Sequence, residues 1–202
     1  MANEYLKRTP TSSGNSRVFT WAGWVKQNTA TTNYLLTAQS AKDNNTQLRF
    51  LSSGIIDLFD RQGSDASTER VTFLHNHRDY SSWLHIIISG DTTKINPSDR
   101  VKAYVNGVEL GRDATNTLLN NSANANTPAL DQEFFRLNGA GYAHYIGAQL
   151  DNTLGTPNEN QFSDIFYIDG QQLEPDVFGF YKDGDGYMSS GTTNATDFRP
   201  GQ

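Results

Sequence analysis

The chain reads as an all-β protein, a two-sheet antiparallel β-sandwich of the jelly-roll kind, and three features say so. Asn, Thr, Ser and Gly are abundant while aromatic residues reach 11%, the mixture expected of short strands joined by polar turns. About ten runs either alternate with period two or are apolar and β-branched, each bounded by turn formers. No segment sustains a helical period long enough for a substantial α-helix. A closed barrel is the architectural alternative.

Arg17 to Lys26 (RVFTWAGWVK) places Phe19, Trp21 and Gly23 on one parity and Val18, Thr20, Ala22 and Trp24 on the other, a strand with both faces partly covered. Tyr34 to Ala38 and Gln47 to Leu51 follow, the second with Leu48 and Phe50 facing in and Gln47 and Arg49 facing out. Gly54 turns the chain into Ile55 to Asp60 as a hairpin. Gly63 to Arg70 reads as a polar connection, and Val71 to Leu74 as a short strand after it.

Trp83 to Ser89 (WLHIIIS) is the strongest strand signal, an apolar run that belongs in the middle of a sheet. After a turn-rich stretch at Asp91 to Asp99, Val101, Ala103 and Val105 alternate with Lys102, Tyr104 and Asn106, giving a half-buried strand with one wet face. Asn106-Gly107 fits a two-residue type I′ turn, which needs positive φ at both positions, so Val108 to Leu110 should fold back. Arg112 to Asp131 has no period and reads as a long irregular excursion.

Tyr142 to Ala148 and Gln161 to Ile168 are two further strands, with breakers Gly155 and Pro157 between them. Glu174-Pro175-Asp176 can open one helical turn. The expected division is one sandwich over 1–180 and an irregular C-terminal tail over 181–202, available as a docking segment.

Composition removes several functions. The chain has no cysteine, which excludes a disulfide framework, a thiolate metal site and a thiol nucleophile. Sixteen basic residues against 22 acidic ones, without a basic run, leave no footprint for nucleic acid. No stretch approaches the roughly 18 apolar residues of a membrane span, so membrane insertion is not expected, and Met1 to Pro10 lacks the apolar middle of a signal peptide.

The order WAGWV (Trp21 to Val25), WLHIIIS (Trp83 to Ser89), RVKAYVNGVEL (Arg100 to Leu110), HYIGA (His144 to Ala148) and FSDIFYIDGQQLEPDVFG (Phe162 to Gly179) resembles laminin G-like, concanavalin A-like lectin/glucanase domains. Together with the opening Tyr5 to Lys26, it is most similar to the versions found in structural proteins of marine tailed bacteriophages. The resemblance implies two antiparallel sheets of about six or seven strands each. It further implies a virion component, such as a capsid decoration, head fibre or tail-associated protein, present in several copies among other virion proteins. The alternative function is a carbohydrate-binding lectin-like module or tail-fibre adhesin that recognises a host-surface glycan, which is thus an additional expected partner, and fold likeness alone settles none of these roles.

The residues that could carry chemistry have plainer readings. A retaining glycosidase needs two carboxyl groups about 5–5.5 Å apart, which alternate carboxylates on one strand supply. The nearest run, Glu174-Pro175-Asp176, meets Phe178 where the second Glu should stand, so no catalytic residues are expected and the protein reads as a non-enzyme. His75 and His77 share a parity but lack a third ligand at a recognisable spacing; they read as a polar strand end, and His85 as a core histidine.

Asp183-Gly184-Asp185-Gly186 suggests calcium, yet Tyr187 and Asn194 stand where an EF-hand loop needs oxygen ligands. No cofactor is therefore expected, with a looser calcium site near Asp164 or Asp169 as the one exception, since many domains of the resembled family bind calcium at a rim. Of Trp21, Trp24 and Trp83, the first two have opposite parity, so at least one packs in the core. Tyr80 and the Asn120 to Asn126 cluster are the loop candidates for glycan or protein contacts.

Overall fold

The computed structural model describes residues 5–29, 31–41, 43–52, 54–63, 67–74, 79–111, 127–134, 136–151, 154–157, 160–181 and 198–200. Its strands are Leu6–Arg8 (β1), Val18–Lys26 (β2), Asn33–Ala41 (β3), Asn44–Phe50 (β4), Ile56–Gln62 (β5), Ser67–Phe73 (β6), Leu84–Asp91 (β7), Val101–Val105 (β8) and Val108–Glu109 (β9). They continue with Ala143–Ile146 (β10), Ala148–Asp151 (β11), Leu154–Pro157 (β12), Gln161–Asp169 (β13), Gly179–Tyr181 (β14) and Phe198–Pro200 (β15). Two 3₁₀ turns, Pro97–Asp99 and Pro175–Val177, are the only helical pieces among the described residues. Among the described residues no helix is long and apolar enough to cross a membrane.

A six-stranded sheet in the order β1-β10-β3-β4-β5-β6 and a five-stranded sheet in the order β13-β2-β7-β8-β9 form the sandwich, all pairs antiparallel. Pairs β11-β12 and β14-β15 form separate two-stranded ribbons. The expected two-sheet antiparallel sandwich is thus the observed architecture, the smaller sheet having one strand fewer than the resemblance implied. WLHIIIS forms most of β7, the middle strand of the five-stranded sheet, where an apolar run hides both its faces.

The core follows from period-two alternation. Leu36, Leu48, Phe50, Ile56, Leu58, Val71 and Phe73 from one sheet meet Phe19, Trp21, Val25, Leu84, Ile86, Ile88 and Val101 from the other. Phe134 closes one end, edge-on to Phe19 at 5.6 Å between centroids. Buried Arg100 donates from Nε to the Lys94 carbonyl, from one terminal nitrogen to Pro128 and from the other to Ile95, tying two loops at that end.

Four readings change. Ser67–Glu69 and Arg70 belong to β6 and not to a connection; their polarity suits the border strand of a sheet, which a search for apolar runs passes over. Tyr142 to Ala148 is two strands, because Gly147 at φ 79° breaks the ladder and sends β11 to pair with β12, which contains both breakers, Gly155 and Pro157. Gln47, expected in solvent, is 1% exposed. Tyr104, expected on a wet face, is buried because the segment after β13 folds across it. Asn106 (φ 49°) and Gly107 (φ 78°) do adopt the positive-φ pair of a type I′ turn. Most of 181–202 lies outside the described residues, and Phe198–Pro200 pairs with Gly179–Tyr181.

Candidate recognition face

The side of the six-stranded sheet turned away from the core is polar and aromatic in every row. Register sets Lys7, Tyr145, Thr37, Gln47, Phe59 and Arg70 side by side across six strands. The adjacent row is Tyr34, Arg49, Asp57 and Thr72. Because same-face neighbours on paired strands lie within reach of one another, each row is a ladder of direct contacts.

At the centre is Asp57, fully buried. Arg49 meets it as a fork, Nε to Oδ1 at 2.9 Å and a terminal nitrogen to Oδ2 at 2.7 Å, while its other terminal nitrogen donates to Gln47 Oε1 at 3.1 Å. Arg70 donates its Nε to Asp57 Oδ2 at 2.6 Å. The Arg49 guanidinium also lies 4.1 Å from the centroid of the Phe59 ring, a cation–π contact. Two guanidiniums on one carboxylate leave a surplus positive charge. The terminal nitrogens of Arg70 have no hydrogen-bond partner among the described residues, and its side chain keeps 15% exposure. Such an arrangement can receive a planar anion; it contains no acid–base pair for bond cleavage.

The outer side of the five-stranded sheet is closed instead. Thr20 Oγ1 donates to the Gln171 carbonyl and accepts from the Leu173 N–H, so residues 171–178 lie across β2, β7 and β8. Phe178 packs on Ala22, Ile87 and Tyr104. Lys102 stands 3.7 Å from Glu174 and 3.8 Å from Glu109. Burial, reinforced by Glu109 and Glu174, pushes the Tyr104 phenol well above its ordinary range.

The residues marked in the sequence are dispersed. Trp21 is a core residue, Trp24 is half-buried against His85 at 5.1 Å, and Trp83 is exposed ahead of β7. His85 is 2% exposed, and burial pulls it down to about 4 against the opposing pull of Asp164, so it is neutral near pH 7. His144 accepts from the Asn138 N–H at Nε2 and faces the Tyr142 carbonyl with Nδ1, which therefore carries the proton; burial lowers its pKa. Glu174 stands at the N-cap position of the second 3₁₀ turn without a side-chain capping bond, and Tyr80 sits half-buried in a turn.

Asp164 is bonded by Ser163, and Asp169 accepts from the Asn15 N–H. His75, His77, Asn120 to Asn126, Asp183, Asp185, Tyr187 and Asn194 lie outside the described residues. Among the described residues no group of three or more His, Asp or Glu could hold a metal ion. The Arg49–Asp57–Arg70 cluster went unmarked in the sequence, although the Gly54 hairpin carries a signal: pairing Phe50 with Ile56 sets Arg49 opposite Asp57.

No family model matches the chain, and no curated protein matches it. Solved structures do. The chain is similar to the Ruminococcus gnavus IT-sialidase CBM40 bound to α2,3-sialyllactose, with 14% identity, 85% of this chain and 95% of that one covered, and a TM-score of 0.54. It is also similar to a mutant of HCR D/C VPI 5995, with 13% identity, 84% of this chain but only 38% of the other covered, and a TM-score of 0.52. A heptameric SAP-like pentraxin from Limulus polyphemus aligns with 17% identity over 81% of this chain and 68% of that one, with a TM-score of 0.49. The first two likenesses establish the fold, a jelly-roll β-sandwich.

Proposed function

We propose that the protein is a non-enzymatic recognition domain whose six-stranded sheet binds a carboxylate-bearing glycan. The observation that carries this reading is the Arg70 guanidinium, held by Asp57 with its terminal nitrogens unbonded among the described residues, on a sheet face paved with polar side chains and the rings of Tyr34 and Phe59. A planar fork receives a carboxylate through two parallel hydrogen bonds, and half-buried aromatic faces receive the apolar side of a sugar ring. The similar CBM40 structure, which is bound to sialyllactose, adds support from the same fold.

The test is a glycan array spanning sialylated, uronic-acid and neutral saccharides, run with the native chain and with Arg70→Gln. Binding confined to acidic glycans and lost in the variant supports the reading. Retention of no glycan, or unchanged binding by Arg70→Gln, overturns it. Arg70→Gln leaves the Arg49–Asp57 fork in place, so the sheet should stay folded.

Placement on the surface of a tailed-phage particle, in several copies and docked to other virion proteins, belongs to the same proposal. It rests on the motif resemblance of Tyr5 to Lys26 and of Phe162 to Gly179. It is consistent with the exposed apolar side chains Phe166 and Val177 near the five-stranded sheet, which suit a protein contact. Electron cryo-microscopy of intact particles checks it, and a particle lacking the protein rejects it.

A further inference from the structure

The sequence contains two Asn-Gly pairs, Asn106-Gly107 and Asn138-Gly139. This dipeptide carries its own chemistry: the glycine amide nitrogen can attack the side-chain carbonyl carbon of the preceding asparagine, and no side chain on the glycine hinders the approach. Three local conditions set the rate. They are a free glycine N–H, a polarised asparagine amide that can shed ammonia, and a backbone that opens readily between the two. Both asparagines have positive φ, 49° at Asn106 and 58° at Asn138, so backbone class does not separate them.

Asn106 meets all three conditions. It begins the two-residue turn between β8 and β9, which closes through the Val105–Val108 pair and leaves the Gly107 N–H without a hydrogen-bond partner among the described residues. The attacking nitrogen is therefore unengaged. Asn106 Oδ1 accepts from the His85 N–H at 2.9 Å. That donor draws electrons from the amide carbon and stays in place to share the negative charge that gathers on the oxygen as the carbon becomes tetrahedral. β9 has only two residues, both exposed, at the border of the five-stranded sheet, so the turn opens at low cost.

Asn138 meets none of them. Its N–H donates to His144 Nε2 at 2.9 Å and its carbonyl accepts from the Gly14 N–H at 2.9 Å, which holds the backbone from both sides. The Gly139 N–H is engaged, donating to the Arg136 carbonyl at 3.2 Å. Asn138 Nδ2 is buried and packed on Gly14, where a Cβ would stand 1.8 Å from it, so the leaving nitrogen is enclosed.

We propose that Asn106 is a site of self-modification by deamidation, and that the fold protects Asn138. The bond from Gly107 N to Asn106 Cγ forms, the Cγ–Nδ2 bond breaks, and ammonia leaves with the Gly107 proton. Water then opens the resulting succinimide at either carbonyl, giving aspartate or isoaspartate; no electrons are exchanged. Each event adds one negative charge to the chain's net −6. The isoaspartate form also puts an extra carbon into the backbone of a two-residue turn, which parts Val105 from Val108 and loosens that border of the sheet. The site lies on the five-stranded sheet, so it stands or fails independently of glycan binding at Arg70.

Peptide mapping by mass spectrometry of the folded chain, aged in mildly alkaline heavy-oxygen water, tests it. Label should enter at residue 106 at least about tenfold faster than at residue 138, a ratio of the order set by the extra hydrogen bonds that must open around Asn138. In urea the two rates should converge, because both sites are then plain Asn-Gly. Asn106→Gln, whose longer side chain needs a six-membered ring, should remove most of the ammonia released by the folded chain. Amide exchange at Leu110, whose N–H donates to the Ala103 carbonyl at 2.8 Å, should quicken in the isoaspartate form. Equal labelling of the two sites in the folded chain, or labelling of residue 106 only in urea, overturns the inference; unchanged exchange at Leu110 overturns the loosening of the border.

Discussion

The two outward faces of this sandwich are solved in opposite ways. On the six-stranded sheet, a buried carboxylate is held between two guanidiniums and the face stays polar; on the five-stranded sheet, residues 171–178 are drawn over an apolar strip and close it. The first arrangement buries Thr37, Gln47, Asp57 and Thr72 and leaves the Arg70 side chain, 15% exposed, as its donor toward the surface. The second removes the face from use. Recognition should therefore be one-sided, and the sheet with the stronger apolar signal should be the structural one.

The sharpest way to break this contrast is Asp57→Ala. It leaves Arg49 and Arg70 facing one another on a buried carboxylate's site, and a loss of about 3–5 kcal/mol is expected in urea unfolding. A loss under 1 kcal/mol would mean the polar face is not organised by this residue.

Acid should act on the other sheet. His85 has its folded pKa at about 4, below the unfolded value of 6.5, so the unfolded chain takes the proton first as pH falls. Its contribution is fully present above pH 6.5 and is lost progressively down to about pH 4, amounting to about 2–3 kcal/mol. Denaturant melts at pH 7 and 4.5 should show the loss, and His85→Gln should flatten it in part. Some slope will remain because His144 is shifted in the same direction.

The smallest effect belongs to the cover itself. Phe178→Ala removes a half-buried ring from Ala22, Ile87 and Tyr104, and about 1–2 kcal/mol is expected from thermal unfolding, with glycan binding untouched. Loss of glycan binding in this variant would place recognition on the wrong sheet.

The same contrast explains what was legible. β7 announced itself because both faces of a central strand in the closed sheet are apolar, and Asn106-Gly107 announced a turn because few other pairs take two positive φ values. Tyr104 was misplaced because side-chain polarity predicts exposure only when nothing folds over the strand, whereas Gln47 is buried on the outer face itself, where Arg49 donates to its Oε1. The Arg49–Asp57–Arg70 cluster needed the register of three strands, and register is a tertiary quantity once the pairing extends beyond one tight turn.

One small element has a consequence for the behaviour of the protein in concentrated solution. β1 contributes only Leu6, Lys7 and Arg8 to the ladder, with Leu6 66% exposed, yet these three residues cover the backbone of β10. Fraying of so short a strand costs little and uncovers a row of N–H and C=O groups on β10 that a second molecule can pair with. The protein therefore carries a latent site for strand-exchange association, guarded by a lysine and an arginine whose charges repel an incoming copy of themselves.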